Sequence, residues 1–86
     1  MGHGEKHFHD EAPSGAALTS YDRDNMTLYM RLLDAERSGA QWEDIIKTLF
    51  DLDPESDEPR YRHMYETHLA RAKWMSEHGY KGLLRE

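Results

Sequence analysis

The chain has 86 residues, a formal net charge of −6, 33% charged residues and no cysteine. That length predicts one domain, near the size at which a single core only just suffices, and it excludes a disulfide framework or a thiolate zinc site. No apolar run approaches the ~18 residues needed to span a bilayer. The N-terminus has no signal-peptide apolar region, so a cytoplasmic protein is expected, and the net charge disfavours nonspecific attraction to DNA or anionic lipid.

The charge is unevenly distributed. Residues 18–57 hold ten acids against four bases, a net −6, whereas residues 58–86 hold six bases against four acids. Asymmetry of this kind marks either an interaction surface of one sign or a solvated acidic face.

Residues 1–17 are rich in Gly, His and charge, contain Pro13 and show no periodicity. They predict a disordered N-terminal arm, leaving 18–86 as the folded domain. His3, His7 and His9 are good ligand types, but on a flexible arm they read as incidental. No metal and no cofactor is assigned.

A helix is expected to start after Leu18. Thr19 can cap it, with Asp22 three residues on as its capping-box partner. Leu28, Tyr29, Leu32, Leu33 and Ala35 then form an apolar stripe, and Ser38-Gly39 ends the element. Met26 and Met30 lie beside the stripe, where methionine fills either core gaps or a partner groove.

Trp42, Ile45, Ile46, Leu49 and Phe50 give the cleanest amphipathic pattern in the chain and predict a short second helix. Its polar side carries Glu43 and Asp44. A loop from Asp51 to Glu58 follows, with Leu52 as its inward anchor. Asp51, Asp53, Glu55 and Asp57 mimic positions 1, 3, 5 and 7 of a calcium loop, yet Ser56 stands where Gly is needed and Arg62 where the bidentate Glu is needed.

Pro59 to Gly79 is the longest helical stretch, about 30 Å at the usual rise. Pro59 suits the first turn, and Gly79 suits the position just past a helix end. Tyr61, Tyr65, His68, Leu69, Ala72 and Met75 recur on one face. Arg60, Arg62, His63, Arg71 and Lys73 are expected on the opposite, outward face. The tail from Tyr80 is expected to fold back through Tyr80, Leu83 and Leu84. The predicted fold is all-α: three principal helices in a helix-turn-helix-like order, plus a short C-terminal turn or helix.

No catalytic constellation emerges, and the chain reads as not an enzyme. His63 and His68 sit five residues apart, which at ~100° per residue turns the rings about 140° from each other, too far to share one zinc ion. His68 falls on the core stripe and reads as a buried, hydrogen-bonded histidine. As a helix-turn-helix, the long helix would offer Arg60, Arg62, His63, Thr67 and Arg71 to a DNA groove. The acids of residues 51–58 would then lie close to phosphates, and the connecting loop is longer than the usual turn.

The runs Tyr21-Asp22, Leu28 to Ala35, Gly39-Ala40-Gln41-Trp42, Leu52-Asp53-Pro54 and His68 to Tyr80 carry a resemblance. The chain is similar, over about residues 18–85, to the domain of unknown function found in regulators of proteobacterial integrative and conjugative elements. As a small acidic copy it looks like the QseM-like antiactivator branch. The resemblance implies a helix-turn-helix variant that represses excision and conjugative transfer by binding transcriptional activators. The partners implied are a LuxR-family quorum sensor of the TraR type and an excision activator of the FseA type, with no direct DNA binding. On that reading Glu43, Asp44, Asp51, Asp53 and Asp57 supply electrostatic complementarity, and Met26, Met30 and Met64 supply exposed apolar contacts.

Overall fold

Residues 8–79 are described by a computed structural model, and within them all regular structure is helical. Helix α1 spans Ser20–Asp24, α2 Met26–Arg37, α3 Trp42–Leu49 and α4 Glu58–Trp74, and a π-helical turn, Met75–Gly79, continues α4. The tail expected to fold back from Tyr80 lies outside the described residues.

Local chemistry sets each boundary. The Thr19–Asp22 capping box forms, with the Asp22 N–H donating to Thr19 Oγ1 and the Thr19 N–H donating to the Asp22 carboxylate. Asn25 then interrupts the helix at φ −117°, ψ 25°, so that the single first helix of the sequence reading becomes α1 and α2. Gly39, at φ +84°, closes α2. Its N–H donates to the Glu36 carbonyl and the Ala40 N–H donates to the Ala35 carbonyl, both at 3.0 Å, a pairing that needs a left-handed residue at Gly39. Asp51 takes the left-handed conformation after α3, and the Leu52 N–H returns to the Ile46 carbonyl.

α4 packs against both α2 and α3, which also pack on each other. The core between them is built from Leu28, Tyr29 and Leu32 of α2, Ile45, Ile46 and Phe50 of and just after α3, and Met64, Ala72 and Met75 along α4 and its extension. Tyr61, Tyr65 and Leu69 flank this core and are only partly buried. The buried line of α4 is therefore Met64, His68, Ala72 and Met75, at i, i+4, i+8 and i+11. It lies about one position off the line the aromatic residues had marked.

That displacement corrects Met64, expected as an exposed contact: it is 2% exposed. Met26 is half-buried against the core. Met30 alone of the three stands out in solvent, at 63%. Met64→Ala should accordingly lose about 2–5 kcal/mol of unfolding free energy in urea, whereas Met30→Ala should stay within about 0.5 kcal/mol of the parent.

Candidate nucleic-acid interface

The outward side of α4 begins with exposed Arg60, Arg62 and His63 over its first two turns. Each is paired. Arg60 Nε meets Asp10 Oδ1 at 3.0 Å, His63 Nε2 lies 3.5 Å from Glu11 Oε1, and Arg62 Nε meets Glu66 Oε2 at 3.2 Å on its own helix. The Arg62 guanidinium also lies over the Trp42 ring, 5.6 Å from its centroid. Further along, Lys73 Nζ reaches Glu36 of α2 at 2.9 Å.

Two of these partners come from the N-terminal arm. Residues 8–17 carry no helix or strand, as an arm should, but they lie along α4 instead of standing clear of it. The Phe8 ring packs edge-on against Phe50, with centroids 5.0 Å apart. Ala12 is buried, and its N–H donates to Thr67 Oγ1 at 3.1 Å. His9 stacks on Tyr21, whereas His3 and His7 lie outside the described residues.

Arg71 is not on the outward face. It is 3% exposed and forms a two-pronged ion pair with Asp22, which is fully buried: Nε to Oδ1 at 3.0 Å and Nη2 to Oδ2 at 2.7 Å. Its remaining donors reach the Gly15 carbonyl at 2.6 Å and the Ala17 carbonyl at 3.0 Å, and Trp74 stacks beneath the guanidinium. The Tyr29 hydroxyl donates to Asp22 Oδ1 at 2.8 Å. Burial alone would raise the Asp22 carboxyl. The Arg71 hydrogen bonds, the Thr19 N–H and the Tyr29 hydroxyl outweigh that and hold it at about 2. This site was missed because Asp22 already had a complete explanation as a cap and Arg71 sits among other surface-type cations.

His68 is fully buried and doubly bonded, as its place on the core stripe predicts. Nδ1–H donates to the Met64 carbonyl and Nε2 accepts from the Tyr21 hydroxyl, both at 2.7 Å, which fixes the neutral tautomer. Its surroundings are Phe8, Phe50 and Tyr21, so burial pushes its pKa down despite the Met64 carbonyl.

The acids assigned to a protein partner form a separate group. Glu43 and Asp44 are exposed in the first turn of α3, Asp51 and Asp53 are exposed in the loop, and Asp57 is half-buried just before α4. Asp53 accepts the Glu55 N–H, a local turn contact. Among the described residues none of the five is in an ion pair. The structure thus brings Arg60, His63 and Thr67 together under the arm, turns Arg62 away from them to Glu66 and Trp42, takes Arg71 inward, and leaves the acids on the α3 side.

Two outcomes follow for stability. Removing Arg71 leaves a buried carboxylate unpaired, so Arg71→Ala should lose about 3–5 kcal/mol in urea denaturation. Arg71→Lys should recover only part of that, because an ammonium cannot span both Asp22 oxygens and two carbonyls. The folded state also binds the His68 proton less well than the unfolded state does. Its contribution is therefore complete above the ordinary value of 6.5 and is lost as the pH falls from there through the depressed folded pKa. The stability gap between wild type and His68→Gln should narrow from about pH 7.5 to about pH 5, read by denaturant titration at each pH.

Compared with known proteins, the chain matches one family model over residues 4–85, described as "T6SS, Transcription factor, DNA binding domain". No curated protein matches it. The match supports the DNA-binding reading more than the QseM-like antiactivator branch, to which nothing in it points. It also takes in the arm. With nearly every residue inside the matched region, the chain belongs to the family of T6SS transcription factor DNA-binding domains.

Proposed function

We propose that this chain is the DNA-binding domain of a transcription regulator and that the first half of α4 is the surface laid against DNA. The observation that carries the reading is the placement of Arg60, Arg62 and His63. All three are exposed over the first two turns of α4, Arg60 and His63 on the arm side and Arg62 about 160° round from Arg60 toward Glu66 and Trp42, while Met64, His68 and Ala72 are buried in the core. A helix braced from behind by two others presents these side chains at fixed spacing. Arg60 and Arg62 offer planar donors suited to phosphate or guanine edges, whereas the Thr67 hydroxyl is taken up by the Ala12 N–H and the Met64 carbonyl. The all-α, helix-turn-helix-like order of α2, α3 and α4 and the family match support the same reading.

A second reading rests on a different surface. Glu43, Asp44, Asp51 and Asp53 are exposed without an ion-pair partner among the described residues, and they suit a basic surface on another protein. That is the antiactivator mode, with activators of the LuxR/TraR and FseA types as occupants. It needs no contact from α4.

The two readings separate in a duplex-binding titration by fluorescence anisotropy over a range of salt. Under the DNA reading, Arg60→Ala/Arg62→Ala weakens binding uniformly across sequences and lowers the slope of log K against log salt by about 2. Asp44→Lys/Asp53→Lys tightens it. Equal binding by the parent and the arginine double variant overturns the DNA reading. If the Asp44→Lys/Asp53→Lys protein instead loses an activator partner that the parent retains, with helicity unchanged, the acidic rim is the working surface.

A further inference from the structure

The arm ascends α4 in the helix's own direction. Asp10 meets Arg60, Glu11 meets His63, the Ala12 N–H meets Thr67, and the Gly15 and Ala17 carbonyls meet Arg71. Positions 60, 63, 67 and 71 fall at i, i+3, i+7 and i+11, a single stripe along the helix. Four of the five residues that the sequence offers to a DNA groove are therefore engaged by one short segment of the same chain. The fifth, Arg62, is turned to Glu66 and Trp42.

We infer that residues 8–17 form an autoinhibitory acidic strap, in which the Asp10 and Glu11 carboxylates occupy the positions on Arg60 and His63 that DNA phosphates would take. The inference rests on the reading of α4 as the DNA-facing helix. A carboxylate and a phosphate oxygen compete for the same guanidinium donors, so one must leave before the other enters. The strap is graded along its length in a way that suits release. At one end the Gly15 and Ala17 carbonyls are held by buried Arg71, a contact that DNA does not reach. In the middle, Asp10 and Glu11 and their partners are exposed; the Asp10–Arg60 ion pair is weak and screened by salt, and Glu11 lies 3.5 Å from His63 with no hydrogen bond between them. With the Arg71 end remaining as a hinge, DNA has to displace the exposed pairs, the Ala12–Thr67 hydrogen bond, and the packing of Phe8 on Phe50 and of His9 on Tyr21. Displacement also carries two negative charges away from the approaching phosphates.

The test compares binding of a mixed-sequence duplex by the full chain, by Asp10→Asn/Glu11→Gln, by that variant combined with Arg60→Ala/His63→Ala, and by Asp44→Asn/Asp53→Asn. The last changes net charge by the same amount on a different surface. Circular dichroism confirms that each is folded, as expected for exposed substitutions. The strap predicts roughly 2- to 10-fold tighter binding for Asp10→Asn/Glu11→Gln, abolished by the added Arg60→Ala/His63→Ala and larger than in the Asp44→Asn/Asp53→Asn control. An equal gain in that control reduces the effect to net charge and overturns the strap. Binding by the parent that Asp10→Asn/Glu11→Gln leaves unchanged also overturns it and keeps the DNA reading. Absence of duplex binding by all four proteins at low salt removes the DNA reading, and the strap falls with it.

Discussion

The Asp22–Arg71 ion pair is the constraint on which the arrangement of this small domain depends. Both groups are removed from water, and desolvating two charges costs several kcal/mol each unless nearly every hydrogen-bonding position is filled. Here those positions are filled. Asp22 accepts from Arg71, Tyr29 and Thr19, and Arg71 donates to Asp22, Gly15 and Ala17. Among the described residues no buried side-chain nitrogen or oxygen lacks a partner. Apolar residues of similar volume often replace a buried ion pair without loss, so the pair is better understood through what it positions than through net stability. It joins α1, α2, α4 and the arm at one point, and no apolar substitute would hold the two carbonyls of an irregular segment.

That junction reshapes the electrostatics of α4. By anchoring Gly15 and Ala17, Arg71 brings Asp10 and Glu11 over the preceding turns, where they meet Arg60 and His63. The helix that looks basic in sequence is close to neutral along its outer stripe, because each of its arginines has an acidic partner within 3.2 Å. The rim from Glu43 to Asp53 is the reverse case, with carboxylates left to solvent. Net charge by segment described the rim well and the long helix poorly, since it ignores which charges the fold brings into contact.

Much of the fold was legible because its signals are local. Trp42, Ile45, Ile46 and Leu49 report α3 through spacing alone, Ser38-Gly39 reports the end of α2 through the conformation only Gly takes easily, and Thr19 with Asp22 reports a helix start. His68 was legible too, since a lone histidine on an apolar stripe has few other solutions. What stayed hidden involves partners far apart in sequence. Nothing near Arg71 distinguishes it from Arg60 or Arg62, and its burial is decided by Asp22, 49 positions away. Met64 was obscured because α4 carries two tyrosines, Tyr61 and Tyr65, along one flank of its true core line, and half-buried tyrosines shift the apparent apolar face. The arm's composition predicts its lack of helix, but not that Phe8 and Ala12 find apolar cover and that Arg71 takes its carbonyls.

These features bear on how an acidic domain of net −6 can meet DNA. The start of α4 offers little help, because Asp57 and Glu58 stand at the end where the helix dipole would otherwise attract phosphate. On the proposed reading, attraction comes from the side of the helix, chiefly through Arg60, over a distance no longer than a Debye length of about 8 Å at physiological salt. Within that range the acids of the arm and those of the α3 rim are not equivalent. The rim acids near α3 are fixed by the fold and oppose any approach from that side. On the proposed strap, Asp10 and Glu11 sit between two anchors, Phe8 on Phe50 at one end and the Gly15 and Ala17 carbonyls on Arg71 at the other, and their opposition ends once they are displaced. Approach along the arm-covered stripe is therefore the only direction in which the repulsion is conditional. An acidic rim and a basic helix can thus coexist in one DNA-binding domain: the fixed acids limit orientation, and the movable ones limit affinity.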